Sequence, residues 1–434
     1  PQVVVSGQVS ATYPGTYDDD CTDSLYFAED QTTYHIKKGK EGFVSSLTEH
    51  FPEERTNLEA YVDAVHRLTD ETDLFYLRPS NDVFPVHSEE FNLAADAFIA
   101  KYIQNPKLRN VVAYMNPLYG GMADATPAYV HAIVSVLYMQ GASRFVGGSD
   151  RFAQLLVSVI ESAGGEVRCN EGAEWVEVND RHVDYVRSTK GHEYRADHYI
   201  SAIHPCTLLP LLSEKAFPKA YRTRLNDIPN AYSAFSVYVK FKPETFPYIN
   251  HSEYYMTRYD EVWHFGEHHD TWPLGFFFMT PPEDNQGKYA DKAIITAPMI
   301  FDEVEKWAQT TVGRRGKDYE LWKKEQAQKL LERIEEIHPG FNACVDKVNT
   351  ASPLTIRDYY GAKEGTMCGF SKDYKNTVLS QLPVVTKVDN LLLTGQYNNL
   401  PGFCGVPLTA INTVEAILGR NYVIGRLNSI HEQL

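Results

Sequence analysis

The spacing of apolar residues changes near residue 42. Residues 1–36 alternate apolar and polar positions between Gly, Asp and Pro, which predicts short strands joined by turns. Beyond this point apolar residues recur at intervals of three and four, which predicts helices over 43–51, 58–68, 91–102 and 126–139. The first two helices should separate at Phe51-Pro52, because the residue before a proline avoids the helical region.

One helix and several short strands are predicted between residues 150 and 203. The helix covers 150–163 and ends at Gly164-Gly165. Short apolar runs then predict strands at 166–169, 173–178, 183–188, 192–195 and 198–203. The last run is typical of a strand buried on both faces. A helix, a meander and a buried strand in this order favour an insertion within a nucleotide-binding α/β domain over a separate module.

The second half of the chain is richer in strand patterns. Strands are predicted at 232–241, 254–258, 274–280, 293–298, 342–349 and 354–360. A long amphipathic helix is predicted at 318–337, ended by His338-Pro339-Gly340. The acidic stretch 281–289 is the best candidate for a surface loop.

Residues 390–418 carry the strongest candidate site. Three leucines lead into a turn at 394–396, and a glycine-containing loop at 401–407 leads into a predicted helix over 408–418, with Pro407 at its start. A strand, a glycine turn and a helix N-terminus can present backbone N–H groups to an anion or to the polar edge of a ring. The residues alone are equally compatible with glycines that serve only packing.

This segment resembles a known motif. It is similar to the C-terminal flavin-binding motif of the retinol saturase, phytoene desaturase and carotenoid isomerase group, within the amine-oxidase-like flavoproteins. Residues 37–61, 145–178 and 199–205 resemble further parts of the same family pattern. The resemblance implies FAD, with the 395–396 turn near its ribityl and pyrophosphate part, residues 405–408 near the isoalloxazine ring and Val176 near the adenine. The implied cofactor-binding residues are Val176, Gly395, Gln396, Gly402, Gly405, Val406, Pro407 and Leu408.

The resemblance also implies an architecture. We expect an α/β fold in which an FAD/NAD(P)-binding Rossmann-like domain is interleaved with an α+β substrate domain built from a mixed β-sheet and helices. The predicted division is 1–143 substrate domain, 144–205 nucleotide-binding domain, 206–387 substrate domain, 388–420 FAD-binding segment and 421–434 tail. The family pattern opens with a GxGxxG turn that binds the pyrophosphate, and this sequence contains none. The Rossmann-like domain is therefore predicted to be incomplete.

The implied activity is that of an FAD-dependent oxidoreductase or isomerase. Its substrate would be a long apolar conjugated or polyunsaturated molecule such as a retinoid or carotenoid, with hydride or electron transfer at flavin N5. No catalytic side chain is assigned, because the flavin carries that chemistry. Tyr254, Tyr255 and residues 276–278 are predicted to line a tunnel, with about half of them turned away by strand alternation. The missing GxGxxG favours an alternative: a non-catalytic fragment or remnant that binds an apolar ligand or a partner chain without FAD.

Composition and net charge narrow the range of possible partners and bound groups. A net charge of −16 and a pI near 5.4 argue against a nucleic-acid partner. The six cysteines include no CxxC pair, so neither a disulfide scaffold nor a structural zinc site is expected. His264, His268 and His269 could suggest a metal, but their spacing favours a polar turn, and no metal site is predicted.

The sequence contains no apolar run of transmembrane length and no signal peptide, so we expect a cytoplasmic protein. Peripheral contact with a membrane is compatible with an apolar substrate, although no basic amphipathic helix is evident. The sequence does not predict the oligomeric state.

Overall fold

The computed structural model describes residues 21–80, 86–141, 148–282, 287–376 and 381–431. The predicted strand near residues 3–5, the connection at 144–147 and positions 283–286 of the predicted acidic loop lie outside them. The strands are β1 (Cys21–Phe27), β2 (Thr32–Lys37), β3 (Ala173–Asn179), β4 (His182–Ser188), β5 (Glu193–Tyr194), β6 (Tyr199–Ser201), β7 (Ser233–Phe241), β8 (Ser252–Met256), β9 (Gly275–Met279), β10 (Lys292–Met299), β11 (Val345–Ala351) and β12 (Leu391–Leu393).

These strands form three sheets in the described part of the chain. The largest has the order β11-β7-β10-β9-β8-β1-β2, the meander has the order β3-β4-β5, and β12 pairs with β6. In the largest sheet β1 runs parallel to β8, and the other neighbours are antiparallel. The fold is thus mixed α/β, as the sequence predicts.

The helices surround the sheets. They are α1 (Lys40–Thr48), α2 (Arg55–Asp70), α3 (Ala95–Tyr102), α4 (Pro106–Val111), α5 (Ala128–Met139), α6 (Gly148–Ser162), α7 (Pro205–Leu208), α8 (Lys219–Asp227), α9 (Lys317–Ile337), α10 (Phe341–Cys344), α11 (Pro353–Tyr360), α12 (Gly402–Leu418) and α13 (Tyr422–His431). The predicted break before α2 is confirmed, since a short 3-10 turn at Pro52–Glu54 separates it from α1. The long predicted helix is α9.

Three cores hold these elements together. One joins α1 to α5 with β1, β2 and β8. A second lies between the strands β7 to β10 and the apolar side of α9. The third joins the meander, α7 and α8 to β12. The large sheet is therefore covered on both sides, which fits its strongly apolar strands.

The parallel pair β6 and β12 is covered less completely. All three residues of β12 are buried, whereas Ile200 in the middle of β6 is 49% exposed. The neighbouring helix α6 buries none of its residues, and its apolar Val159 is 64% exposed. The prediction that 198–203 is buried on both faces is therefore wrong. Parallel strands reach that state when elements cover both faces, and among the described residues β6 has cover on one face only.

Three further predictions are corrected. Residues 166–169 form a loop, because a strand needs a neighbour for its hydrogen bonds and none pairs with this stretch in the described part. Residues 354–360 lie in α11, where Ser352 forms a capping box with Thr355 and Pro353 occupies the first turn. The predicted strand at 342–349 begins only at Val345, after the short α10.

Among the described helices, no single one is long and apolar enough to cross a membrane. Gly402–Leu418 and Tyr422–His431 satisfy the length and composition criteria only when taken together, and they meet at a bend of 118°.

Candidate functional site

The turn after β12 depends on a glycine. The Thr394 N–H donates to the Ser201 carbonyl at 2.9 Å, which extends the pairing of β12 with β6 by one residue. Gly395 then adopts a φ of +88°, in the left-handed region that glycine enters without a steric penalty. The turn takes the chain out of the sheet at the end of β6, as expected for a binding loop at the carboxyl end of parallel strands.

The helix after this turn begins earlier than predicted. Helix α12 starts at Gly402 instead of residue 408, so Pro407 lies inside it. The early start is possible because Gly405 carries no side chain: a Cβ there would lie 2.2 Å from the Leu400 carbonyl oxygen. The Thr413 hydroxyl donates to the Leu393 carbonyl at 3.0 Å and holds the helix against β12. Gln396 of the turn and Gly402 at the start of α12 line the same cavity.

We expect Gly405→Ala to destabilise the protein by about 1–3 kcal/mol, since the new Cβ forces the Leu400 backbone to move. Gly425→Ala is the matched control, because Gly425 lies in α13 with nothing within 4 Å of the added Cβ. That substitution should be neutral or should stabilise by up to about 1 kcal/mol through helix propensity. Urea unfolding of both variants measures the difference, and equal stabilities would contradict the close approach at Gly405.

Two buried polar groups beside this turn have no hydrogen-bond partner among the described residues. The Thr394 hydroxyl is one, and the side-chain amide of Asn398, which is 1% exposed overall, is the other. An unpaired buried amide costs roughly 1–3 kcal/mol, so a site that retains one is suited to a polar ligand. Gly402, at φ +80°, has open space where a Cβ would point. Backbone N–H groups, unpaired polar atoms and open space thus occur together.

An inner chamber of about 310 Å³ opens beside this site. Gln396 and Gly402 form part of its wall, and most of the remainder is apolar or aromatic. Its lining includes Tyr232, Tyr254, Phe276, Phe277, Met367 and Cys368. Of the aromatic residues predicted to line a tunnel, Tyr255, Phe276 and Phe278 belong to the core against α9, and Phe276 also contributes to the chamber wall. Strand alternation places 276 and 278 on the same face and Phe277 on the other.

A larger outer chamber of about 1130 Å³ lies next to the inner one. It is built from α8, the segment that leads into β7 and the start of the 3-10 segment Phe301–Trp307. Tyr232 and Ser233 contribute to the walls of both chambers. Carboxylates outnumber cations among its charged residues, which are Asp227, Asp302, Glu364, Asp373, Lys219 and Arg224.

Burial shifts the pKa of three ionisable side chains close to the inner chamber. Burial raises the pKa of the Cys368 thiol to about 12 and lowers that of the Lys372 ammonium to about 8. Burial also lowers the pKa of His204 to about 4, while its Nε2 atom donates to the Asn230 side-chain oxygen at 3.1 Å. At neutral pH Cys368 is a thiol and His204 an uncharged imidazole. The chamber wall is suited to an apolar molecule more than to acid–base chemistry.

The cysteines should therefore differ in reactivity. Cys169 is exposed, whereas Cys368 is buried and holds its proton. We expect iodoacetamide to modify Cys169 first and Cys368 only on unfolding, because the thiolate is the reactive form. Peptide mass spectrometry of the native protein, with a urea-unfolded sample as control, measures the order. Early modification of Cys368 would contradict its burial.

The structure places the predicted cofactor residues in two regions. Gly395, Gln396, Gly402 and residues 405–408 all lie in the turn or the first two turns of α12. Val176 lies instead in the core below the meander, and its carbonyl accepts the Ser213 N–H at 3.2 Å. Its contact with adenine stays a prediction, as do the roles of the other residues.

Sequence reasoning missed Tyr232, Cys368, Lys372 and Asn398. Tyr232 directly precedes β7, and in the sequence nothing distinguishes it from the other residues of a strand. Cys368 lies between Gly365 and Gly369, and this glycine pair is the one signal that could have drawn attention to the segment.

The three histidines considered for a metal are bonded separately. His264 contacts Glu267 at 2.8 Å, His268 contacts Glu303 at 3.2 Å, and the His269 Nε2 donates to the His264 carbonyl at 2.9 Å. Among the described residues, no group of three or more His, Cys, Asp or Glu side chains could hold a metal ion.

Comparison with known families decides the ancestry of this fold. The sequence model for flavin containing amine oxidoreductases matches residues 22–415. The chain belongs to this family. The match runs from β1 through most of α12, so it includes both the aromatic sheet and the glycine turn. Membership confirms the predicted amine-oxidase-like class and implies a flavin for the family.

Individual members are distant in sequence. Human all-trans-retinol 13,14-reductase is 24% identical over 426 residues, which cover 89% of this chain and 70% of the human protein. An oxidoreductase from Methanosarcina mazei superposes with a TM-score of 0.57 at 13% identity, covering 91% of this chain and 80% of that one. Cyclohexylamine oxidase from Brevibacterium oxydans gives 0.54 at 12% identity, covering 94% and 81%. At these identities the structural likeness shows a shared fold.

Proposed function

We propose that this protein is an FAD-dependent oxidoreductase or isomerase of long apolar polyenes, such as retinoids or carotenoids. The observation that carries the proposal is the position of the inner chamber. Its aromatic wall ends at Gln396 and Gly402, which are two of the residues predicted to bind the flavin. A planar apolar molecule in the chamber would therefore lie against the flavin site.

The residues at that site fit a flavin. The unpaired Thr394 hydroxyl and Asn398 amide can hydrogen-bond a polar ring edge or a ribityl chain, and the open face of Gly402 admits a ring. The N-terminus of α12 favours negative charge. Gly395, Gln396, Gly402 and Gly405 would hold the group. When bound, FAD supplies the hydride and electron exchange that the protein's own side chains cannot perform.

The remaining residues orient the substrate and exclude water. Tyr254 and Phe277 form a cross-strand aromatic pair with ring centroids 5.3 Å apart, which supplies a rigid apolar wall. The neutral thiol of Cys368 adds no charge to this wall. Such surroundings suit a reaction in which the substrate is held and shielded while the cofactor performs the chemistry.

The retinoid part of the proposal is supported by the name of the human relative, a retinol reductase that matches over 89% of this chain. Retinol is a long conjugated apolar alcohol, which suits an aromatic chamber. At 24% identity this supports a substrate class rather than one substrate.

The test begins with the visible spectrum of the purified protein. A flavin spectrum, with flavin released on denaturation, is the expected result either directly or after incubation with FAD. The bound flavin is then reduced with dithionite under anaerobic conditions, and the protein should transfer the two electrons to all-trans-retinol or isomerise it, with products separated by chromatography. A protein that cannot be loaded with FAD, or one that is loaded but leaves every polyene unchanged, would contradict the proposal.

A second candidate is binding of an apolar ligand without flavin. Two observations favour it: the sequence contains no GxGxxG, and α6 buries none of its residues and exposes Leu156, Val159 and Ile160. This candidate predicts a colourless protein that still binds retinol, as measured by retinol fluorescence. Flavin loading that changes retinol turnover would rule it out.

A further inference from the structure

The two chambers meet at one side chain. Tyr232 is 8% exposed and lies in the wall of both chambers, together with Ser233. The inner chamber, at about 310 Å³, is at the low end of small-molecule sites, whereas the outer one is several times larger. A long apolar ligand that has filled the inner chamber can therefore gain further contacts only by extending past Tyr232 into the outer chamber.

The backbone around Tyr232 is fixed by hydrogen bonds to the 365–369 segment. The Ala231 N–H donates to the Gly369 carbonyl at 2.8 Å, and the Ser233 hydroxyl donates to the Gly365 carbonyl at 2.5 Å. The two bonds tie the chain on both sides of Tyr232 to the 365–369 segment, so the side chain is the part of Tyr232 that can be displaced with fewer bonds broken.

The side chain is held more weakly than the backbone. The Tyr232 hydroxyl donates to the Asn116 carbonyl at 3.3 Å, which is a long hydrogen bond. Its ring lies against Gly266, where an added Cβ would approach the ring to 3.2 Å. The absence of a side chain at Gly266 thus makes room for the ring in the position between the chambers.

We propose that the Tyr232 ring is a partition that sets how much of a long apolar ligand the connected cavity accepts. The inference deepens the proposed function, on which it rests for the identity of the inner chamber as the reacting end. In a ligand long enough to extend past the ring, the polar end would lie in the outer chamber. Because carboxylates outnumber cations there, an uncharged hydroxyl suits that end better than a carboxylate.

The experiment measures how affinity depends on chain length. A series of straight-chain primary alcohols displaces retinol from the purified full chain, followed by retinol fluorescence. Each buried CH₂ should raise the affinity about fourfold until the accessible cavity is full. With the native chain the rise should stop at the length that fills one chamber. With Tyr232→Ala it should continue to longer alcohols, so the longest should bind at least about tenfold more tightly than to the native protein.

Tyr232→Phe is the matched control, because it keeps the ring and removes the hydrogen bond. For Tyr232→Phe, affinity should stop rising at the same alcohol length as for the native protein. Tyr232→Val replaces the alanine variant if that variant does not fold, as judged by its thermal unfolding.

If affinity depended on alcohol length in the same way for the native protein and Tyr232→Ala, the ring would not be a partition. The same conclusion would follow if Tyr232→Phe bound the longer alcohols as tightly as Tyr232→Ala. Failure of the protein to take up flavin would instead overturn the proposed function and would leave the chain-length profiles unchanged. The two proposals can therefore fail separately.

Discussion

Replacing His131 with glutamine should remove a large part of the protein's sensitivity to mild acid. His131 lies in α5, is 0% exposed, and has its pKa lowered by burial from 6.5 to about 3. In the folded protein the ring therefore stays neutral at pH values where the unfolded chain already protonates it.

The sign of the effect follows from proton linkage. Below pH 6.5 the unfolded state binds a proton that the folded state excludes, so the free energy of unfolding falls as the pH falls. The loss continues until the pH reaches about 3, where the folded ring is protonated as well. One pKa unit corresponds to about 1.4 kcal/mol, so the full contribution is on the order of 5 kcal/mol, with about 2 kcal/mol lost by pH 5.

The hydrogen bonds of His131 explain why glutamine is the suitable replacement. The ring contacts the Tyr61 hydroxyl through Nε2 at 2.7 Å and the Tyr119 hydroxyl through Nδ1 at 3.0 Å. Tyr119 also donates to the Asn116 side-chain oxygen, so Nδ1 donates to Tyr119 and Nε2 accepts from Tyr61. Glutamine offers one donor and one acceptor but does not titrate.

Urea unfolding between pH 5 and pH 7.5 measures the slope of stability against pH. His131→Gln should make the slope shallower below about pH 6.5, whatever its effect at neutral pH, and the slope that remains includes His204, whose pKa burial also lowers, to about 4. His268→Gln is the control, since the His268 side chain is 70% exposed and its removal should leave the slope nearly unchanged. An unaltered slope in the His131 variant would show that the ring is protonated in the folded state.

The sequence predicts a helix or a strand of this structure well when neighbouring residues alone specify that element. Neighbouring residues set the period of three and four in α2, the alternation in β9 and the break at Phe51-Pro52, and these predictions are confirmed. The predicted strand at 166–169 depends instead on a partner that no local pattern specifies, and the structure has a loop there. Predictions of helices and strands were most reliable where the residues that bury an element lie close to it in the sequence.

The candidate site shows the same limit. The glycines at 395, 402 and 405 mark the turn and the helix from sequence alone. The start of α12 at Gly402 was missed, because it depends on the Leu400 carbonyl packing where Gly405 has no Cβ. Tyr232 and Cys368 were missed because their position in the chamber wall follows from tertiary packing and not from residue spacing.

Asn398→Leu should stabilise the protein when no flavin is bound and weaken its response to FAD. The Asn398 amide is buried and has no partner in the described part of the chain, so its replacement by an apolar side chain of similar size removes a penalty of about 1–3 kcal/mol. The same change deprives a bound flavin of a hydrogen-bonding group. Thermal unfolding with and without FAD measures both effects.

Asn390→Leu supplies the contrast within the same segment. Asn390 is also buried, but its side-chain oxygen accepts the Val183 N–H at 2.7 Å and its nitrogen donates to the Val183 carbonyl at 3.1 Å. Leucine there leaves the Val183 N–H unpaired, while the Val183 carbonyl keeps its contact with His182 Nδ1 at 3.1 Å, so the change should cost about 1–3 kcal/mol with or without FAD. If both variants were equally destabilised and the FAD-induced shift of Asn398→Leu were unchanged, the Asn398 amide would be an ordinary structural group. Opposite signs of the two stability changes, with a smaller FAD shift for Asn398→Leu alone, would identify Asn398 as part of the flavin site.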